Sequence, residues 1–120
     1  MKDQAQTKMA IDLVIDRPVE YTVFHNRHPD AWAGWEHGQQ TSTGPGGTTD
    51  GGRIGRVLED IFDRHAGDDR PVRVGDLVKI QWETDVAIIR TVFAVEPSGW
   101  SMLDGEGTQA VLNAAGGERR

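Results

Sequence analysis

Apolar residues along this chain follow two spacings, and the change from one to the other outlines the fold. From Met9 to Ile15, the residues Met9, Ile11, Leu13 and Ile15 alternate with Ala10, Asp12, Val14 and Asp16, the period of two that marks a half-buried strand. Arg17-Pro18 interrupts it. Val19, Tyr21 and Val23 then share one face of a second strand running to His25, in β-branched and aromatic residues suited to a pleated surface. Further on, Ile54, Val57, Leu58, Ile61 and Phe62 recur at helical spacing, which predicts an amphipathic helix over residues 52–65. Thr49 or Asp50 stands where a cap would bind its first N–H groups, His65 stands at its negative end, and Gly67 can supply a left-handed stop.

Two further strands follow the helix. Val72 to Trp82, with Val74, Val78, Ile80 and Trp82, and Val86 to Val95 read as two strands of a hairpin joined by Glu83-Thr84-Asp85. Pro97-Ser98-Gly99 turns the chain into a brief last strand, Trp100 to Leu103. The predicted class is α+β: a small, mainly antiparallel sheet of four or five strands with one amphipathic helix packed on a face. Residues 9–103 form the single domain. Residues 1–8 and 104–120 are polar and read as disordered tails. Residues 40–52 hold only Gln, Thr, Ser, Gly, Pro and Asp, and they read as a mobile loop.

Composition narrows the function classes. Thirteen basic residues against nineteen acidic ones give a net charge of -6, which repels a phosphate backbone and disfavours nucleic acid as a partner. The absence of cysteine removes disulfides, thiolate catalysis and Cys-based zinc sites. The opening residues MKDQAQTK lack the apolar run of a signal peptide, and no stretch approaches the ~20 apolar residues of a membrane span. A cytoplasmic protein with no membrane partner is the expectation.

The candidate chemistry is concentrated between residues 25 and 39. His25, His28 and His37 lie near Asp30 and Glu36, so imidazole and carboxylate ligands could together hold a divalent ion. Their spacing matches no recognised metal signature, and ordinary loop or surface histidines are the preferred account of them. No nucleophile stands out: Ser42 falls in the loop, and Ser98 and Ser101 fall in turn-like sequence. The run Gly44-Pro45-Gly46-Gly47 lacks the Lys and Ser/Thr of a phosphate-binding loop. Arg53 and Arg56 share their helix with Glu59, Asp60 and Asp63, a mixed solvated face. Of the four tryptophans, Trp82 and Trp100 sit in strand patterns and belong to the core. Trp32 and Trp35, in an irregular segment, are candidates for a protein-binding surface together with His28, Asp30 and Glu36. No catalytic residue and no cofactor emerge from this reading.

Several blocks also carry a family resemblance: YTVFHNRHPDAWAGWEHGQ at residues 21–39, VLEDIFDRHAGDDRP at 57–71, VRVGDLVKI at 72–80 and FAVEPSGW at 93–100. In that order they resemble the YodL-like domain, and within it the small actinobacterial proteins carried on plasmids and phages. Pro71-Val72-Arg73-Val74-Gly75-Asp76 stands where those proteins have Ser-Leu-Ser-Val-Gly-Asp. The resemblance implies accessory work for a mobile element, through binding and modulation of a host or defence protein, and it implies no catalytic residue. Read from the residues alone, Gly75-Asp76 is a turn entering the hairpin.

Overall fold

In the computed structural model, residues 13–26, 41–96, 99–103 and 108–109 are described. In chain order the elements are β1 (Val14–Ile15), β2 (Val19–Asn26), β3 (Thr41–Thr49), β4 (Gly52–Arg53), α1 (Ile54–Arg64), β5 (Leu77–Glu83), β6 (Ile88–Glu96) and β7 (Gly99–Met102). Five of the strands form an antiparallel sheet in the order β3-β2-β5-β6-β7, and β1 pairs with β4 in a separate two-stranded ribbon. The α+β class expected from the sequence is the class observed.

Pleating decides which residues meet. Tyr21 pairs with Ile80 and Val23 with Val78, and Val78 pairs with Phe93, so these side chains share one face of the sheet. Against them packs the stripe of α1, in which Ile54, Val57, Leu58 and Ile61 are fully buried. Burying each such side chain contributes about 1.5–3 kcal/mol. Trp82, Trp100, Phe62 and Met102 are partly buried around this core, as the strand pattern of the two tryptophans predicts. Phe93 meets the Trp100 ring edge-to-face, with centroids 5.6 Å apart. A smaller cluster of Phe24, Leu77, Val92 and Ala94 lies on the other face, where Glu20, Gln81 and Arg90 form a hydrogen-bonded ladder across three strands.

Four local expectations need correction. Residues 41–49 of the supposed mobile loop are the edge strand β3, paired with β2 from Asn26↔Thr41 to Val19↔Thr49 with a bulge opposite Val23. Their lack of apolar side chains has a packing reason: a Cβ at Gly44 would lie 2.7 Å from His25 Nε2, and one at Gly47 would lie 3.2 Å from the Tyr21 hydroxyl. Glycine there makes room for the large side chains of β2. Secondly, α1 takes no side-chain cap from Thr49 or Asp50. It starts at Ile54, directly after β4, and Ile54 N–H donates to Leu13 O at 2.9 Å, so the β-ribbon satisfies one of its orphan donors. Thirdly, Gly67 is not in the left-handed conformation; His65 N–H closes the helix on Ile61 O instead. Lastly, Val72 and Val74 precede β5 rather than joining it, because Gly75 turns the chain at φ 96°.

At the first strand, Ile15 is buried, Leu13 packs on the core and Val14 is exposed, which is the expected alternation; residues 9–12 lie outside the described residues. Within the supposed C-terminal tail, Thr108–Gln109 are helical and Thr108 is buried, which corrects the expectation of disorder at those two positions. Residues 1–8 and the rest of 104–120 lie outside the described residues.

Candidate functional site

Six of the residues singled out for partner binding or metal ligation, His28, Asp30, Trp32, Trp35, Glu36 and His37, lie outside the described residues. Asn26 and Thr41 are paired across β2 and β3, so residues 27–40 connect neighbouring strands at one end of the sheet. What anchors that end is visible, and it centres on a residue that sequence reasoning treated as a plain turn.

Asp76 is completely buried, and its carboxylate accepts five hydrogen bonds. Arg70 binds it with both terminal nitrogens, Nη2 to Oδ1 at 2.9 Å and Nη1 to Oδ2 at 3.1 Å. The backbone N–H groups of Asn26 and Arg73 donate at 2.9 Å each, and His25 Nδ1 donates to Oδ2 at 3.0 Å. A buried carboxylate is tolerable when a guanidinium fork and several N–H donors replace its lost hydration, and all of them are present. The main chain of Asp76 is equally occupied, donating to Arg73 O and accepting from Val95 N–H. One side chain therefore joins the end of β2, the Arg70–Arg73 segment and the entry to β5, with β6 attached through its backbone.

His25, a candidate metal ligand by sequence, is held in this network. Nδ1 faces Asp76 and Nε2 faces Gly44, where any side chain would collide with the ring. Among the described residues no group of three or more metal-ligating side chains comes together. Asp76 did carry a sequence signal, a single carboxylate bracketed by Val74, Leu77 and Val78 after two arginines. An acidic group inside an apolar run calls for a partner, although nothing in the sequence says that His25 and Asn26 supply it.

A second constellation closes the C-terminal end of α1. His65 Nδ1 donates to Asp68 Oδ2 at 2.7 Å, which leaves Nε2 to accept from the Tyr21 hydroxyl, also at 2.7 Å. Arg64 Nη1 donates to the same hydroxyl at 3.3 Å and to Thr48 O at 2.8 Å, with its guanidinium 5.6 Å from the centre of the Tyr21 ring. Hydroxyl, imidazole and carboxylate stand in the order of a nucleophile, its base and the base's orienting group. Tyr21 is nevertheless a core residue, covered by the helix end and by Gly47. In that setting the array fastens the helix C-terminus to β2 and β3. Tyr21→Phe is accordingly expected to lower stability by about 1–2 kcal/mol, since it leaves His65 Nε2 without its donor. A urea titration in which Tyr21→Phe matches the parent midpoint would refute this fastening role.

No protein-family model matches the chain, and no curated protein and no solved structure matches it.

Proposed function

We propose that the chain is a non-enzymatic accessory domain that binds another protein through the segment 27–40, with Trp32 and Trp35 as its apolar anchors and His28, Asp30 and Glu36 as polar neighbours. The observation that carries this reading is the anchoring of the segment's root. Asn26, its last residue before the connection, is paired with Thr41 and held by its backbone N–H on the buried Asp76 carboxylate. Recognition segments commonly take this form, a connection rooted in a rigid scaffold, and tryptophan is the residue most enriched at binding hot spots. The acidic balance favours a basic protein surface over nucleic acid as the target. The resemblance to YodL-like plasmid and phage proteins supports a role in modulating a host or defence protein, in the cytoplasm. No helix among the described residues is long and apolar enough to cross a membrane.

Affinity capture from a host-cell lysate, run with the parent chain and a Trp32→Ala, Trp35→Ala variant side by side, tests the proposal. Loss of one or two hot-spot tryptophans is expected to cut recovery of a specific protein by about tenfold or more. Equal recovery with both chains would sink it.

A second reading, a metal-dependent hydrolase using His25, His28 and His37, has one observation in its favour. The Asp76 carboxylate on His25 Nδ1 is the arrangement that orients imidazole ligands in metal centres. Elemental analysis of protein purified without an affinity tag separates the two readings, because a stoichiometric ion removed by His25→Ala would favour the hydrolase.

A further inference from the structure

The four large hydrophobic residues that stand exposed among the described residues are Val14, on the β1–β4 ribbon, and Val86, Ile88 and Ile89, which lie toward the end of the sheet away from Asn26. Val86, at the β5–β6 turn, is 93% exposed, and Ile88 is 49% exposed. This turn is well ordered by its own hydrogen bonds. Thr84 N–H donates to Ala87 O at 2.8 Å, and Thr84 Oγ1 accepts from the backbone N–H groups of Val86 and Ala87. An apolar knob is thus held out in water by a preformed turn, so little further ordering is needed on binding.

Beside the knob is a concavity of about 210 Å³ lined by Pro18, Glu20, Gln81, Trp82, Glu83 and Ile88. Arg17 ties its two walls together by donating from Nη1 to Glu83 O at 2.6 Å. The rim is acidic. Asp16, Glu20, Asp50, Glu83 and Asp85 gather around this end against Arg17, Arg53 and Arg90. Arg17 is engaged by the Glu83 carbonyl and the Asp16 carboxylate, and Arg90 by Gln81. Glu20 is met only by the neutral Gln81 amide among the hydrogen bonds of the described residues.

We propose that this end of the domain docks a cationic, apolar segment of a partner protein: one large apolar side chain enters the Pro18–Trp82–Ile88 concavity, Val86 packs beside it, and Lys or Arg side chains meet Glu20, Glu83 and Asp85. Charge complementarity selects this occupant. A second copy of the chain would bring a like-charged rim against this one, and an anionic lipid surface would be repelled for the same reason. The surface lies at the opposite end of β2 from Asn26, and the eight residues of that strand span roughly 23 Å.

The test uses the isotopically labelled full chain and a short synthetic peptide of alternating Lys and Leu, with Lys/Ser and Glu/Leu peptides of equal length as controls. Amide shifts are expected at Val86, Ile88 and Glu83 and at the Trp82 indole with the Lys/Leu peptide, with at least about tenfold weaker binding for either control. Val86→Ser with Ile88→Ser, both exposed positions, is expected to weaken binding about tenfold without altering the rest of the spectrum, and Glu83→Gln with Asp85→Asn to reduce its salt dependence. The Trp32→Ala, Trp35→Ala variant is expected to bind this peptide like the parent, which keeps the outcome independent of the function proposed above. Absence of binding, equal binding of the Lys/Ser peptide, or shifts spread over all acidic surfaces would overturn the proposal. So would self-association in sedimentation that Val86→Ser with Ile88→Ser abolishes, because the occupant would then be a second copy.

Discussion

Asp76→Ala is expected to unfold most of the domain at room temperature. The substitution removes every acceptor of the network at once, leaving the Arg70 guanidinium, the His25 imidazole and the N–H groups of Asn26 and Arg73 facing a space with no oxygen. Breaking a buried ion pair by removing one partner costs about 3–5 kcal/mol, and each stranded donor adds to that cost. A domain of this size holds on the order of 5 kcal/mol in total, so little stability is left. Circular dichroism and a urea titration provide the measurement. Asp76→Asn, which keeps the shape and one acceptor oxygen, is expected to fall between the alanine variant and the parent. A loss below about 1 kcal/mol for Asp76→Ala would show that the carboxylate is not the clamp described here.

Phe93→Ala is expected to cost about 3–5 kcal/mol, the usual range for emptying a buried phenylalanine site. Phe93 is 1% exposed, pairs with Val78 on β5 and Met102 on β7, and meets Trp100 edge-to-face. Its removal leaves a cavity where the helix stripe, the central strands and the last strand converge. Loss of the edge-to-face pair also frees Trp100, so a change in tryptophan fluorescence should accompany the drop in urea midpoint. Ile89→Ala, on the same strand but exposed, serves as the comparison and should change stability by less than about 1 kcal/mol. Equal losses at the two positions would contradict the core assignment.

These two sites differ in how far they could be read in advance. Phe93 lies in the Val86 to Val95 run that already read as the second strand of a hairpin, and the helix stripe Ile54, Val57, Leu58, Ile61 was legible because 3.6-residue periodicity is a local property of the chain. Asp76 was legible only as a turn beside Gly75. Its partners lie 50 residues away in β2 and six residues away at Arg70, and no local pattern encodes which strands become neighbours.

The glycine-rich tract shows the limit most plainly. Residues 41–49 have poor strand propensity and no apolar face, so local reasoning reads a loop. They form a strand because β2 offers a hydrogen-bonding edge and because Tyr21 and His25 need neighbours without side chains. Pro45 and the bulge beside it also suit an edge, where an uninterrupted strand would invite pairing with other chains. The helix cap follows the same logic: Thr49 and Asp50 were reasonable cap residues, but the β1–β4 ribbon delivers Leu13 O to Ile54 N–H, and side-chain capping is not used.

The sequence by itself determined the α+β class, the helix, the central strands and the exclusion of cysteine chemistry, since each depends on composition or on a period of two or 3.6 residues. Tertiary structure alone decided that a polar tract becomes an edge strand, that Asp76 gathers three segments and that Tyr21 reaches His65 and Arg64. Those outcomes depend on contacts between residues far apart in the chain, where burial and the need to pair every buried polar group outweigh local preference.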